Sequence, residues 1–207
     1  RKPYVALIDG IVMGGGVGVS VHGSHRVAGD KFTFAMPEVS IGFFPDVGGT
    51  WFLPRLPGEL GTYCVLTGER LNAADGVEAG IATHRIASSR FPDLVDALCG
   101  AVSVDAILGA FEQPAGPAAV VAHQAAIDRL FLGAEVEHIL AVLDAEAGRN
   151  GAHAAFAAAT AALMRTKSPT SLKLVLEQMR RGATLDFAEC MRTEFRIVSR
   201  VVRGHDF

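Results

Sequence analysis

MGGGVGVSVHGSHRV, residues Met13–Val27, is the stretch that decides the fold class. It follows two short β-prone runs, Tyr4–Ile8 and Ile11–Met13, which Gly10 separates. The run Gly14-Gly15-Gly16 then predicts a glycine turn into a buried helix over Val17–His22. Strands that lead through glycines into a helix read as an α/β arrangement. Backbone N–H groups at such a turn reach a ligand closely, and a helix N-terminus favours developing negative charge. Close packing of helix on strand accounts for the same glycines, and both readings stand here. A phosphate-binding P-loop is excluded because no Gly-Lys-Ser/Thr follows. The dinucleotide fingerprint fails as well, because Val19 sits where its third glycine belongs.

Working outward, Phe32–Ala35 reads as another strand, stopped by Pro37. Ile41–Phe44 is apolar and runs into Pro45-Asp46-Val47-Gly48-Gly49, a loop by its Pro and Gly content. Thr50 then suits the N-cap of a segment over Trp51–Leu56. Glu59–Leu66 and Ala73–Ala79 read as short helices ending at Gly68 and Gly80, and Ile81–Ile86 as a strand. Beyond this the chain is rich in Ala and helix formers. Helices are expected near 118–131, 135–147 and 151–166, followed by one opening at Ser168-Pro169. The last, about 184–203, carries Phe187, Met191, Phe195, Val198 and Val202 at amphipathic spacing. The sequence thus divides into an α/β zone, residues 1–90, and a helical zone, residues 91–207.

Composition narrows the function classes. The 207 residues include 50% hydrophobic ones and carry a net charge of −3, which excludes a disordered chain. Mean hydropathy is +0.31, raised by Ala and by 23 Gly. No basic footprint exists for nucleic acid. Stretches free of charge such as Gly10–Val21 and Asn150–Met164 are shorter than the roughly 20 apolar residues of a membrane span. Cys64, Cys99 and Cys190 form no CxxC pair and read as buried thiols in a reducing compartment. No signal peptide is visible, although the chain opens on Arg1-Lys2-Pro3-Tyr4, so its natural start is expected to be missing.

Two carboxylates stand out. Glu38 in Met36-Pro37-Glu38-Val39 and Asp46 in Phe43-Phe44-Pro45-Asp46-Val47 are each a lone acid in an apolar stretch. A buried carboxylate is costly unless paired or functional, and a shared apolar cleft raises its pKa. Such a pair suits a general base or nucleophile beside an orienting group. Two loop acids that cap helices or face water fit the same residues. His22 and His25, three apart, would share a helical face, but no third ligand has metal spacing, and structural histidines are favoured. Ser20 and Ser24 lie beside them without any nucleophile elbow.

The blocks KPYVAL (Lys2–Leu7), MGGGVGVSVHGSHRV, FAMPE (Phe34–Glu38), IGFFPDVGGTWFLPRL (Ile41–Leu56), LTGERL (Leu66–Leu71) and AGIATH (Ala79–His84) resemble the crotonase (enoyl-CoA hydratase/isomerase) superfamily. Within it they are similar to the 3-hydroxyisobutyryl-CoA hydrolase branch, as are KSPTSLK (Lys167–Lys173), EFR (Glu194–Arg196) and RGHDF (Arg203–Phe207). The resemblance implies a crotonase-like spiral of ββα turns with a helical C-terminal region. It implies an acyl-CoA substrate whose thioester oxygen is held by backbone N–H groups, one of them matching Gly15, with Gly14 beside it. Glu38 matches the superfamily's carboxylate, and Asp46 the acid typical of the hydrolase branch. The implied reaction is hydrolysis of a short branched β-hydroxyacyl-CoA in valine breakdown. CoA is part of the substrate, and no metal or other cofactor is needed. A hydratase or isomerase of the same superfamily is the alternative, disfavoured because Gly18 stands where hydratases place a second glutamate. A silent acyl-CoA-binding or assembly module is the third. The family also carries early spiral turns before Lys2 and extends past Phe207, so part of the spiral is expected outside this chain. Partners are expected to be limited to the acyl-CoA and possible copies of the chain, with neither nucleic acid nor membrane. The expected compartment is a bacterial-type cytoplasm or a mitochondrial matrix.

Overall fold

The computed structural model describes residues 2–100 and 102–207. The opening Arg1, and Ala101, lie outside the described residues. In chain order the elements are β1 (Val5–Ile8), β2 (Ile11–Val12), α1 (Gly15–Ser20), β3 (His25–Ala28) and β4 (Thr33–Phe34). Next come α2 (Gly49–Phe52), α3 (Leu60–Thr67), α4 (Ala73–Glu78), β5 (His84–Arg85), α5 (Phe91–Leu98) and α6 (Val104–Phe111). The remainder is helical: α7 (Gln124–Leu130), α8 (Val136–Ala147), α9 (Ala154–Met164), α10 (Pro169–Gly182) and α11 (Phe187–Val201). They fall into two compact units, Arg1–Phe34 with Arg70–Ala122, and Ala35–Glu69 with His123–Phe207. Each unit draws on both compositional zones of the sequence.

The first unit is the β-spiral. β1 and β3 pair in parallel from Val5 opposite His25 to Ile8 opposite Ala28, and β5 joins β3 with His84 opposite Val27. β2 pairs in parallel with β4, Ile11 opposite Thr33. Successive β-β segments therefore stack on the preceding ones, each returning in the same direction. β1 is half-buried along its length, while β3 buries Val27 and Ala28 at its end. Val27, Ile86, Leu94 and Leu108 form a fully buried cluster that joins β3 to α5 and α6. Pro92 in the first turn of α5, and Ser103, which accepts the N–H of Ala106, start those two helices. α4 opens with a capping box, in which Asn72 accepts from Asp75 N–H and Asp75 from Asn72 N–H. The buried Asp75 also accepts from Val120 and Val121, tying down the chain behind α6.

The second unit is helical. Every residue of α3 is buried, so this helix has no polar face and acts as a central strut. Tyr63 on it meets Phe131 edge-on, with ring centroids 5.4 Å apart. Arg180 on α10 pairs with Glu59 at 2.7 Å and donates to the carbonyls of Phe131 and Gly133. α10 starts as expected, with Ser168 accepting Ser171 N–H and Pro169 at the first position.

Several expectations are corrected. His25–Ala28 is a strand, so His22 and His25 share no helical face. Gly48, at φ 90°, caps α2 in place of Thr50, which lies buried inside the helix. The strand over Ile81–Ile86 contracts to His84–Arg85, and the helix expected from 118 begins at Gln124. Cys99 is exposed; Cys64 and Cys190 are buried. On α11, Phe187, Phe195 and Val202 are exposed while Cys190 and Glu194 are buried. The helix is amphipathic, but it turns its sulfur and carboxylate inward and the stripe of Phe187, Phe195 and Val202 outward.

Candidate active site

In the second unit, Pro37 blocks further strand pairing, and Glu38 opens a single 3-10 turn, Glu38–Ile41. Gly42 closes that turn in the left-handed region at φ 71°, and Phe43 N–H donates to Glu38 O at 3.0 Å. Ser168 N–H donates to Val39 O, fixing the turn against the start of α10. Glu38 is thereby held with only 7% exposure. Its Oε2 is buried and has no hydrogen-bond partner among the described residues. Burial pushes its pKa up to about 7, against the pull of its own backbone N–H, and the charge of Asp46 adds to the rise. The reading of Glu38 as a water-facing loop acid does not hold.

Asp46 lies at the head of the loop that leads into α2, half-buried, with its carbonyl accepting Gly49 N–H at 2.8 Å. Burial raises its pKa too. The next residue, Val47, has φ 52°, a strained position for a β-branched side chain. Two side chains grip this loop. Glu194 of α11 accepts Gly48 N–H on Oε2 at 3.0 Å and Thr50 N–H on Oε1 at 2.9 Å. Gln178 of α10 donates through Nε2 to Pro45 O and to Thr50 Oγ1, both at 2.7 Å. Burial raises the pKa of Glu194, the two backbone donors pull it down, and Asp46 pushes it up. Glu194 and Gln178 went unnoticed as site residues in the sequence. The available signal was an acid four residues after Cys190 on a helix whose inward face the apolar spacing misassigned.

In the first unit, Gly14 sits at φ 48° and ψ −123°, a conformation that favours glycine. A Cβ at Gly14 or Gly15 would meet nothing within 4 Å, and one at Gly16 would make only an ordinary contact with Val12. Close helix–strand packing therefore does not explain the three glycines. The N–H groups of Gly16 and Val17 are taken by Met13 O and Gly14 O, whereas the N–H of Gly15 has no acceptor among the described residues.

Other constellations are chemically quiet. Ser24, His25 and Asp105 are linked, His25 Nδ1 to Ser24 and Nε2 to Asp105, each at 2.9 Å. Ser24 also holds Tyr4, accepting its N–H and lying 3.0 Å from its carbonyl, so the hydroxyl is engaged by backbone. Ser20 is back-bonded to Gly16 O. Among the described residues no group of three or more His, Cys, Asp or Glu has metal-binding geometry, and no helix is long and apolar enough to cross a membrane.

A family model for enoyl-CoA hydratase/isomerase matches residues 1–207. Among curated relatives, the mitochondrial 3-hydroxyisobutyryl-CoA hydrolase of Xenopus tropicalis is 42% identical across all of this chain and 55% of its own length. The Homo sapiens protein of the same name is 41% identical over the same shares. The chain thus spans about half the length of the curated relatives it matches. A carnitinyl-CoA dehydratase from Mycobacterium thermoresistibile superposes with a TM-score of 0.91 at 39% identity, covering 99% of this chain and 58% of that one. An enoyl-CoA hydratase from Rhodobacter sphaeroides gives 0.83 at 35% identity, covering 96% and 56%. With its parallel strand stacking and a family match along its whole length, this chain belongs to the enoyl-CoA hydratase/isomerase family, with the crotonase-like fold.

Proposed function

We propose that the protein hydrolyses a short branched β-hydroxyacyl-CoA thioester of the 3-hydroxyisobutyryl-CoA type to the free acid and CoA, as in valine breakdown. The observation that carries this reading is the buried Glu38 with its unpartnered Oε2 and a pKa near neutrality. A base poised near the working pH combines the right protonation state with driving force for proton transfer. Glu38 takes a proton from water as the water oxygen attacks the thioester carbon. The C–S bond then breaks, and CoA leaves as the thiol once its sulfur gains a proton. Asp46 orients the water or the substrate hydroxyl. The Gly15 N–H keeps the role implied by the family resemblance, donation to the thioester oxygen, and its unpaired state supports that. CoA is the leaving group, so the reaction as written calls for no resident metal or redox group. Mitochondrial relatives and three free thiols favour a reducing compartment, matrix or cytoplasm.

Hydration is the second reading, favoured by the names of the dehydratase and hydratase relatives among solved structures. It is weakened by Gly18, where the resemblance to hydratases calls for a second glutamate. The test is release of free thiol across a panel of acyl-CoAs by the whole protein. 3-Hydroxyisobutyryl-CoA should be turned over fastest. Rapid hydration of crotonyl-CoA with no thiol release from any hydroxyacyl-CoA would overturn hydrolysis.

A further inference from the structure

The loop that carries Asp46 is in an unfavourable conformation. Val47 holds a positive φ, and the loop's polar backbone groups are buried with it, at Pro45, Gly48 and Thr50. Such strain persists only where surrounding contacts over-determine it. Those contacts come from two side chains on helices far away in sequence. Glu194 offers one carboxylate oxygen to each of two backbone N–H groups, and Gln178 bridges Pro45 O and Thr50 Oγ1 with one nitrogen. Gly182 lets the end of α10 reach the same segment, since a Cβ there would lie 2.3 Å from Thr50 O. Only 6% of Glu194 is exposed, and no basic side chain is bonded to it among the described residues. A buried acid that accepts from two amides of one loop is a poor device for general stability, because its desolvation offsets much of what the bonds give. It is a good device for fixing one backbone conformation.

From this geometry we infer that Glu194 is a positioning residue. It acts through the Gly48 and Thr50 amides to set where the Asp46 carboxylate points, with Gln178 as its helper. The inference rests on the functional reading of Asp46 given above and extends it to a residue that touches no substrate. A glutamine cannot replace this carboxylate, because its NH2 would face one of the two N–H donors.

The test is a double-mutant cycle in the full protein chain, with thiol release from 3-hydroxyisobutyryl-CoA as readout. Glu194→Gln should lower kcat about 10²-fold, the loss expected for a misplacement of about 1 Å. In the Asp46→Ala background the same change should alter kcat by no more than about twofold, since the residue it serves is gone. An equal loss in both backgrounds makes Glu194 merely structural and overturns the inference. Should Glu194→Gln fail to fold, Glu194→Asp runs the same cycle, keeping the charge but withdrawing the carboxylate from the two amides. A second readout needs no activity. The Asp46 carboxyl carbon resonance and the exchange of the Gly48 and Thr50 amides should both change in the Glu194 variant. If wild type releases no thiol, the functional reading falls while this second readout still decides the inference. An unchanged Asp46 resonance then overturns it.

Discussion

Glu38 owes its chemistry to where one proline and one left-handed glycine stop the chain. Between Pro37 and Gly42 the backbone has room for a single turn, which buries the carboxylate and leaves Oε2 without a donor. Burial raises the folded-state pKa to about 7 from 4.5, so the folded protein holds that proton more tightly than the unfolded chain does. The contribution of Glu38 to stability is therefore fully present below pH 4.5 and is lost as pH rises through about 7. The loss is on the order of 3 kcal/mol. Glu38→Gln should remove this decline, so in denaturant titrations the variant gains on wild type between those two pH values while thiol release disappears. A variant that keeps half the wild-type turnover would remove Glu38 from the mechanism. In wild type, kcat/KM should fall on the acid side with an apparent pKa near that of Glu38. Gly15→Pro tests the backbone donor. Gly15 is the first residue of α1, where proline is tolerated, and its N–H has no internal acceptor to lose. The variant should fold with an unchanged thermal midpoint and lose about 10²- to 10³-fold in kcat. Gly14→Ala instead meets a positive φ and should lose about 1–2 kcal/mol of stability by chemical denaturation. The burial of Glu38 and Asp46 was legible because each is a lone acid in an apolar stretch. Glu194 stood in the EFR block, but among Glu189, Arg192 and Arg196 nothing local marked it as the buried acid of the helix.

Some elements with local signals were read, though α1 starts two residues before its expected bound and α5 and α6 were not among the expected helices. β1, α1 and the start of α10 follow from β-branched runs, a glycine turn and a Ser-Pro cap, all within a few residues. β3 has only Val27 and Ala28 as an apolar signal, and its pairing with β1 and β5 makes it a strand. α2 drew a false cap at Thr50 because a hydroxyl before an apolar run is a good capping signal. The tertiary fold uses that hydroxyl to accept from Gln178 and lets Gly48 take the turn. α11 shows the limit of periodicity: the spacing of Phe187, Phe195 and Val202 is helical, yet the buried face carries Cys190 and Glu194. The contact of α10 with α2 gives the element-level prediction. At Gly182 an added Cβ would strike Thr50 O, a backbone atom that no rotamer change relieves. Gly182→Ala should cost about 1–3 kcal/mol in equilibrium unfolding. It should also lower turnover, because the same displacement shifts the loop behind Asp46. Retained stability and turnover would mean that α10 does not hold that loop.

At the scale of the molecule, the family was legible before the arrangement of the units was. Composition excluded nucleic acid and disorder, and the motifs FFPDVGG and SPTSLK led to the hydrolase branch, where relatives of that name now stand at about 42% identity. The interleaving of the two units was not legible. Residues Ala35–Glu69 leave the spiral after β4 to pack with the C-terminal helices, and only contacts between distant segments define that excursion. It carries both Glu38 and Asp46, so the carboxylates are set by helices from the end of the chain. Under the proposed function, that dependence bears on the choice between hydrolysis and hydration, which use water differently. If the clamped Asp46 orients water or the β-hydroxyl, Asp46→Ala should cut thiol release about 10²-fold. Asp46→Asn should keep part of it, because an amide still hydrogen-bonds while losing charge. Gly18→Glu supplies the glutamate that the resemblance to hydratases calls for, yet the loop behind Asp46 stays clamped as before. It should not bring efficient hydration of crotonyl-CoA. Thiol release and loss of the crotonyl double bond, followed side by side in wild type and the three variants, decide the matter. Fast hydration in wild type, untouched by Asp46→Ala, would place the protein with the hydratases and leave Asp46 without a role in water positioning.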